Sequence, residues 1–287
     1  MMKTRIVILN YNGEEMLSQC LPSLVEAARS ATTPTAITVL DNLSQDRSEA
    51  YVRTHFPEID FVKASQNLVL CSYNAYLKTM TEPIAILLNN DIRVDRYFID
   101  LLIKKFEEDS ETFLVAPRVH TFDGKGIEAV GTRFCMRFGM PKISARYPGY
   151  EAHAMISGKT FASGFGAFST KKFNMLGGYD RRYLPGIYED ADLCLRAQRA
   201  GYHLYYEPRS KVFHMGQASF NKTFSTLRRE TIASRNTFLF VWKNFSEKSC
   251  LIKHLLFLPW RLLWALLKGR SHLLLGFWEA VWHKRKS

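Results

Sequence analysis

The sequence predicts an α/β fold in which helices flank a mostly parallel sheet. Short apolar runs rich in β-branched residues alternate with segments of helical periodicity, beginning with a strand signal at residues 5–9 and a helix signal at residues 14–30. Strand, loop and helix recurring in this order produce parallel strands joined by right-handed crossovers. With 287 residues, 47% of them hydrophobic, the chain can form one large α/β domain or two small ones, and it is too apolar to be largely disordered.

The elements follow one another clearly in the first third of the chain. The first strand, residues 5–9, is apolar after its first residue, as expected of a strand buried on both faces. The turn sequence Asn10-Tyr-Asn-Gly13 follows it, and then a helix in which Leu17, Leu21 and Leu24 recur at helical spacing. The same signals predict strands over 36–40, 59–63 and 84–88 and helices over 48–55 and 67–79. Residues 115–157 are less regular. In an enzyme, their loops and short strands could line the site of a second substrate, and the alternative is a solvated surface.

Polar residues stand where three of these strands end. They are Asn10-Tyr11, Asp41-Asn42 and Asn89-Asn90-Asp91. Sites in parallel sheets lie beyond the carboxyl ends of the strands, so these residues are candidates for one site. Asp91, flanked by asparagines, offers the hard oxygen ligands that Mg²⁺ or Mn²⁺ prefers, although Asn-Asn-Asp is also good turn sequence.

A second acidic cluster occurs at Glu189-Asp-Ala-Asp192. Three carboxylates in four residues repel one another unless a helix N-terminus, a cation or an arginine compensates. Asp190 and Asp192 point different ways on a helix and should not share one role. Acids that simply cap the first helical turn are the alternative. His214, at the end of a short strand, is by itself more typical of a structural histidine than of a ligand.

Several classes of site are disfavoured. The chain has no GxxxxGK[ST] motif and no GxGxxG after its first strand, which argues against P-loop and dinucleotide-binding sites. The five cysteines are scattered and form no CxxC, which argues against a disulfide scaffold or a cysteine-ligated zinc and fits a reducing compartment. The apolar stretch after the N-terminus is only residues 6–9, so we expect no signal peptide and a cytoplasmic protein.

The positive charge is concentrated at the C-terminus. Residues 243–287 carry +7 of the net charge of +12, and all five tryptophans lie at or after Trp242. The unbroken apolar runs there hold six residues, far short of the ~20 that span a bilayer. Tryptophan and basic residues favour the headgroup level of anionic membranes, so we interpret this segment as interfacial helices. The alternative is that the helices pack on the body; nucleic acid is disfavoured because its binding segments are usually less apolar.

Taken together, these motifs resemble glycosyltransferase family 2, the inverting GT-A enzymes that use nucleotide-diphosphate sugars. The resemblance runs from Ile6 to about Phe220, and the branch looks closest to the rhamnosyltransferase-like members that build bacterial surface polysaccharides. The motifs that carry it are residues 6–13 with 20–24, Asp41-Asn-Leu-Ser44 with Asp46, Leu87-Leu-Asn-Asn-Asp91, Gly177-Gly-Tyr-Asp180, Glu189-Asp-Ala-Asp-Leu193 with Arg196, and Gly201-Tyr202, Pro208 and His214.

The resemblance implies a role for each candidate residue. Tyr11 would stack on the nucleotide base, and Asp41 would accept a hydrogen bond from the base or ribose. The other donor-binding positions would be Asn10, Asn67, Asn89 and Asn90. Asp91 and His214 would hold Mn²⁺ or Mg²⁺, and Asp190 would be the general base. Glu189 and Asp192 would orient the acceptor and the helix, Asp192 through Arg196.

Two positions depart from the family pattern. Its DxD motif reads Asn89-Asn90-Asp91, so only the last carboxylate is present and the metal site carries less charge. The glycine of the family's NxG motif is Val69, whose side chain should prevent the backbone from freely adopting a positive φ. We expect these departures to change donor contacts and not the fold.

The resemblance predicts a catalytic domain over residues 1–225 and a basic, tryptophan-rich helical segment over residues 226–287. The protein would be an inverting glycosyltransferase, peripheral on the inner face of the cell membrane, acting on a saccharide or lipid-linked saccharide. A sugar-nucleotide nucleotidyltransferase is one alternative, although the Gly/Arg/Lys-rich loop that marks such enzymes is replaced by Asn10-Tyr-Asn-Gly13. The other is a non-catalytic, membrane-associated scaffold, because the DxD motif is reduced.

Overall fold

The computed structural model describes residues 2–216, 224–245 and 247–286. The expected end of the family-like region near Phe220 lies outside these residues. The side chains of Lys248, Arg285 and Lys286, three of the basic residues in the C-terminal segment, also lie outside the described part.

Within the described residues, ten strands form one sheet and two more form a separate hairpin. The strands are β1 (Thr4–Asn10), β2 (Thr35–Asp41), β3 (Asp60–Lys63), β4 (Ile84–Asn89), β5 (Ile92–Val94), β6 (Thr112–Thr121), β7 (Ile127–Ala129), β8 (Arg133–Arg137), β9 (Met140–Ser144), β10 (Gly158–Lys159), β11 (Gly166–Ser169) and β12 (His203–His214). The main order is β10-β12-β6-β11-β4-β1-β2-β3; β5 pairs with β12, β7 pairs with β6, and β8 with β9 makes the hairpin.

The helices connect and cover this sheet. They are α1 (Glu14–Ser30), α2 (Ser48–His55), α3 (Tyr73–Leu77), α4 (Phe98–Glu108), α5 (Tyr150–His153), α6 (Thr170–Met175), α7 (Glu189–Arg199), α8 (Thr226–Asn244), α9 (Lys248–Leu267) and α10 (Ser271–Lys286). Two 3₁₀ turns cover Val69–Ser72 and Arg181–Tyr183.

The predicted parallel sheet is confirmed. Strands β1 to β4, β6 and β12 all run in the same direction, and β11 runs against them between β4 and β6. Asn10 is in register with Asp41, and Leu9 with Asn89, so the polar strand ends share one edge of the sheet. The antiparallel β11 was not predicted, because its four residues are too few to show a strand pattern.

The helix predicted over 67–79 is shorter than expected. Residues Val69–Ser72 form a 3₁₀ turn, and α3 begins only at Tyr73. The Asn67 side chain accepts a hydrogen bond from the Val69 amide, and Ser72 Oγ accepts one from the Leu68 amide. These side chains hold the amides locally and so compete with a regular helical start. The region 115–157 contains the loops and short strands that its sequence predicts, namely β7, β8 and β9, together with α5. Its first seven residues instead complete β6, a largely buried ten-residue strand.

Two apolar layers cover the two faces of the sheet. One layer packs α1 and α4 against Ile6, Ile8 and their neighbours, and the other includes residues of α7 and α8 such as Leu193 and Phe238. Helix α8 is therefore part of the core and not an appendage, since Ile232, Phe238 and Phe240 are fully buried. The alternative of packing on the body thus holds for this first helix of the C-terminal segment.

Helix α9 differs from α8 because most of its apolar side chains are exposed. Over Cys250–Leu267 it is long and apolar enough to cross a membrane by length and composition alone, with a mean hydropathy of 1.5. The six-residue runs counted in the sequence underestimated this length, because Arg261 divides the apolar stretch without ending the helix.

Candidate active site

Three strand-end residues form one buried hydrogen-bond network. Asn10 Nδ2 donates to Asp41 Oδ1 at 3.0 Å, and Asn90 Nδ2 donates to Asn10 Oδ1 at 2.7 Å. The Ser44 amide donates to the other Asp41 oxygen at 2.9 Å. All three strands thus deliver their polar ends to one point, and the second half of the Asp41-Asn-Leu-Ser44 motif fixes the carboxylate.

Gly13 makes this network possible. A Cβ at position 13 would lie 2.0 Å from Asn90 Nδ2 and 2.5 Å from Asn10 Oδ1, which leaves no room for a side chain. Tyr11, two residues earlier, is 41% exposed at the same edge. Its ring is therefore available to a ligand.

Val69 adopts a positive φ, contrary to the expectation from the sequence. Its φ is +50°, in the left-handed region that β-branched residues rarely adopt. Asn67 Oδ1 accepts from the Val69 amide, and Asn42 Nδ2 donates to the Val69 carbonyl at 3.3 Å. The surrounding side chains hold the strained turn in place, so the valine preserves a backbone shape that glycine would adopt more easily.

Asp91 and His214 meet at the ends of β4 and β12. His214 Nε2 lies 3.5 Å from Asp91 Oδ2, and His214 Nδ1 lies 2.9 Å from Glu128 Oε1. Burial opposes the charged ring, yet Asp91 and Glu128 raise the pKa of His214 to about 9. The ring is therefore an imidazolium held between two carboxylates. Glu128 lies on the three-residue strand β7 in the irregular region, and nothing in the sequence pattern points to it.

The donor set at Asp91 fits a divalent cation. Asp91 is buried, and its Oδ1 has no hydrogen-bond partner in the part of the chain that the structure describes, which is costly for a carboxylate unless a cation or a ligand supplies one. Glu128 would hold the His214 ring as carboxylates commonly hold metal-ligating histidines. The described residues contain no group of three or more His, Cys, Asp or Glu side chains that could hold a metal ion, either at this site or elsewhere. A cation would therefore need oxygens from a phosphate or from water to complete its shell.

Glu189 and Asp190 form a coupled pair of carboxyl groups at the start of α7. Glu189 is buried, and its Oε2 has no hydrogen-bond partner within residues 2–216, 224–245 and 247–286. Burial, and then the charge of Asp190, raise the pKa of Glu189 to about 8. Burial also raises the pKa of Asp190, whose Oδ1 accepts from the Ala191 amide at 2.7 Å. Among the described residues neither group has an arginine or lysine partner, so the pair favours holding one proton near neutral pH.

The loop before this pair is strained and is held by α8. Ile187 and Tyr188 have positive φ values of 75° and 82°. Asn236 Nδ2, in α8, lies 2.6–2.8 Å from the carbonyls of Tyr183, Gly186 and Ile187. Strain of this kind persists only where neighbours over-determine the backbone. The sequence does not point to Asn236, because its partners are some 50 residues away.

Asp192 faces away from Asp190 into the protein. It is 0% exposed, and it accepts hydrogen bonds from Tyr183, Asn244, Arg196 and Lys243 at 2.8–3.0 Å. Although burial opposes it, the hydrogen bonds from Lys243 and Asn244 lower the pKa of Asp192. The expected link to Arg196 is present, and Arg196 also donates to the Leu176 and Gly178 carbonyls. Asp192 thus ties α7 to the Gly177-Gly-Tyr-Asp180 motif and to α8.

Two consecutive residues, Gly164 and Phe165, lie next to the acid pair and next to the Asp91–His214 pair. A Cβ on Gly164 would lie 3.4 Å from Asp190 Oδ2, while the ring of Phe165 lies 6.1 Å from the ring of His214. The consecutive residues Gly164 and Phe165 therefore lie next to the carboxyl pair and next to the candidate cation ligand His214, respectively.

Comparisons with known proteins show the family and the fold. A family profile described as "Glycosyl transferase family 2" matches residues 5–173, more than half of the chain. No curated protein sequence matches the chain.

Solved structures share the fold at low sequence identity. GalNAc-T7, crystallised with UDP, GalNAc and Mn²⁺, has a TM-score of 0.60 at 16% identity over 82% of this chain and 47% of its own. TarS from S. aureus, residues 1–349, has a TM-score of 0.53 at 13% identity over 85% of this chain and 73% of its own. The longer TarS structure has a TM-score of 0.53 at 13% identity, covering 86% and 45%. The chain thus spans less than half the length of GalNAc-T7 and of the longer TarS. These likenesses establish a GT-A fold.

Proposed function

The chain belongs to glycosyl transferase family 2, and we propose that it transfers a sugar from a nucleotide-diphosphate sugar to an acceptor hydroxyl with inversion at the anomeric carbon. The observation that carries the proposal is the placement of Gly164 against Asp190 and of Phe165 against His214. A carboxyl pair, which has no lysine or arginine partner among the described residues, and a candidate cation-binding pair therefore both lie next to the Gly164-Phe165 segment. This arrangement suits a reaction that deprotonates a hydroxyl beside a diphosphate leaving group.

The strand ends would bind the donor. Asp41 would accept a hydrogen bond from the base or the ribose, and the exposed ring of Tyr11 would stack on the base. Further contacts to the donor are proposed for Asn10, Asn67, Asn89 and Asn90. We propose UDP or dTDP as the nucleotide, and the UDP in the GalNAc-T7 structure supports a uridine nucleotide.

Asp91 and His214 would hold Mn²⁺ or Mg²⁺. The cation, when bound, would offset the charge that develops on the departing diphosphate. The unpartnered Asp91 Oδ1 and the Mn²⁺ in the GalNAc-T7 structure support this assignment. Binding of the cation would release the proton of His214, since an imidazole that ligates a metal is neutral.

Asp190 would act as the general base. The acceptor oxygen attacks the anomeric carbon while its proton passes to Asp190, and the bond from that carbon to the diphosphate oxygen breaks. One displacement with one base inverts the centre. A raised pKa suits this role, because a base works best when its pKa is near the working pH. Glu189, protonated, would orient the acceptor, and Asp192 would position the helix.

The setting of the reaction is also proposed. We assign the protein to bacterial surface polysaccharide or glycolipid synthesis, in the rhamnosyltransferase-like branch, on a saccharide or lipid-linked saccharide acceptor. It would lie on the cytoplasmic face of the cell membrane, in contact through residues 248–287. The proposed division is a catalytic domain over 1–225 and a C-terminal segment over 226–287, with α8 packed into the former.

A thermal-shift screen against UDP-, dTDP- and GDP-sugars with Mn²⁺ tests the donor assignment, and release of nucleoside diphosphate tests turnover. We expect one nucleotide class to raise the melting temperature in a Mn²⁺-dependent way and to be consumed when an acceptor is present. Binding without turnover on any acceptor would favour the scaffold alternative. Release of pyrophosphate from a nucleoside triphosphate would favour a nucleotidyltransferase.

A further inference from the structure

We propose that α9 lies flat in the headgroup layer of an anionic bilayer, and that Arg137 and Phe138 at the tip of the β8–β9 hairpin enter the same layer. The inference rests on the membrane contact proposed above. It adds the orientation of the helix and a second contact from the middle of the chain.

Helix α9 places its polar groups toward the protein and its apolar groups outward. His254 is fully buried; its Nδ1 lies 3.0 Å from the Gly139 carbonyl, and its Nε2 accepts from Trp242 Nε1 at 3.1 Å. On the opposite side, Ile252, Leu256, Trp260 and Leu267 are 63%, 70%, 66% and 72% exposed. A surface helix in water has the reverse arrangement, with its apolar stripe toward the core. The outward face therefore calls for an apolar partner.

The inner face of α9 argues against a membrane-spanning orientation. Arg261 donates to the Phe138 carbonyl at 2.8 Å, and Ala265, one turn further, is fully buried. The hairpin packs directly on the helix, since a Cβ on Gly139 would lie 2.4 Å from His254 Cα. A spanning α9 would carry this hairpin backbone and a guanidinium into hydrocarbon, where unpaired polar groups and charges are costly. Only the outer face is free to meet lipid.

The hairpin tip exposes an aromatic side chain and a cation beside α9. Phe138 is 55% exposed, and its ring lies 5.1 Å from that of Phe257 in α9. The Arg137 guanidinium lies 5.4 Å from the Phe138 ring. Aromatic rings and basic side chains are the pair that favours the headgroup level.

The charges around this surface fit an anionic membrane. The sequence of α9 contains no acidic residue, and its exposed cations, Lys253 and the following Lys268, border the apolar face. Glu247 lies at the N-cap of α9, and the cations lie along the apolar face itself, where each cation near an anionic leaflet adds affinity. The occupant we propose is therefore a lipid surface.

Co-flotation of the full chain with vesicles tests the proposal. Vesicles of phosphatidylglycerol and phosphatidylcholine are compared with phosphatidylcholine alone, using Phe138→Asn, Arg137→Ser and the double variant Ile252→Asn/Leu256→Asn. Asparagine tolerates the positive φ of Phe138, so the hairpin should fold, and thermal melting without vesicles checks this. Tyr97→Asn, at a 65% exposed tyrosine before α4, is the matched control.

We expect Arg137→Ser to weaken binding to the anionic vesicles about fivefold, Phe138→Asn by at least as much, and Tyr97→Asn to have no effect. An alkaline carbonate wash should release the bound protein. Hairpin variants that bind like wild type, while the α9 double variant fails, would overturn the hairpin contact and leave the membrane contact standing. Retention after the carbonate wash would overturn the flat orientation. If wild type binds neither vesicle, the inference and the membrane contact both fail, and sugar transfer, which this assay does not measure, is unaffected.

Discussion

Nζ of Lys243 donates a hydrogen bond of 2.8 Å to the carboxylate of Asp192, which joins α8 to the helix that begins with Glu189 and Asp190. We expect Asp192→Asn to lower the free energy of unfolding by about 3 kcal/mol, because it leaves the Lys243 and Arg196 charges without their buried partner. Chemical denaturation near neutral pH measures this. Asp180→Asn is the matched control, since Asp180 is the more exposed partner of the same lysine, and its loss should cost less.

The same pair gives a pH dependence. The folded pKa of Asp192 lies below its unfolded value, so its stabilisation is present above the unfolded pKa and is lost as the pH falls through the folded one. The difference in unfolding free energy between wild type and Asp192→Asn should therefore shrink in acid. A difference that stays constant down to the acid transition would contradict the ionised state.

Glu189 should have the opposite pH signature. Its folded pKa of about 8 lies above the ordinary 4.5, so the folded state binds the extra proton and wild type loses stability as the pH rises between these values. Glu189→Gln should lack this slope, and Glu26→Gln, at an exposed position, should retain it. Thermal melts across this pH range compare the three. An equal slope in Glu189→Gln and wild type would assign the proton elsewhere.

Asp190→Asn should reduce transfer by ~10²–10⁴-fold, the usual contribution of a general base, while the affinity for the nucleotide sugar changes little. Turnover and donor binding are measured on the same preparation. Wild-type turnover in this variant would remove Asp190 as the base; loss of donor binding would instead indicate a structural role.

Glu128→Gln should weaken Mn²⁺ binding about 10–100-fold, since it removes the carboxylate that holds the His214 ring. Calorimetric titration of the protein with Mn²⁺ measures this without reference to turnover. Glu151→Gln, on α5, is the control. Full transfer activity in EDTA would argue against any metal role for Asp91 and His214.

Val69→Gly should be more stable than Val69→Ala by about 1 kcal/mol. Both variants lose the contacts of the two Cγ methyl groups, and only glycine, which also lacks Cβ, escapes the steric penalty of the left-handed region. Urea unfolding of the pair measures the difference. Equal stability would mean that the turn relaxes to a negative φ.

The sequence predicts the part of this site that depends on residues close together along the chain. Strand periodicity placed Asn10, Asp41 and Asp91 at one sheet edge, and the register of β1 with β2 brings the first two together. Residues whose role depends on a distant partner left no local pattern. Glu128 is defined by His214, 86 positions away, and Asn236 by carbonyls about 50 residues earlier. The left-handed Val69 could not be foreseen either, because side chains from other segments impose a shape that valine itself disfavours.

The hydrogen bonds from Asn236 to the loop before α7 have a consequence for the synthesis of the protein. The chain emerges from the ribosome with all the described strands, the strand-end network and the acidic pair before α8 exists. A product that terminates before residue 236 would keep the groups proposed for the donor but would lack the contact that fixes the acidic pair. Such a product would also lack Phe238 and Phe240, which are fully buried, so premature termination is expected to leave the core incomplete as well as the acidic pair unfixed.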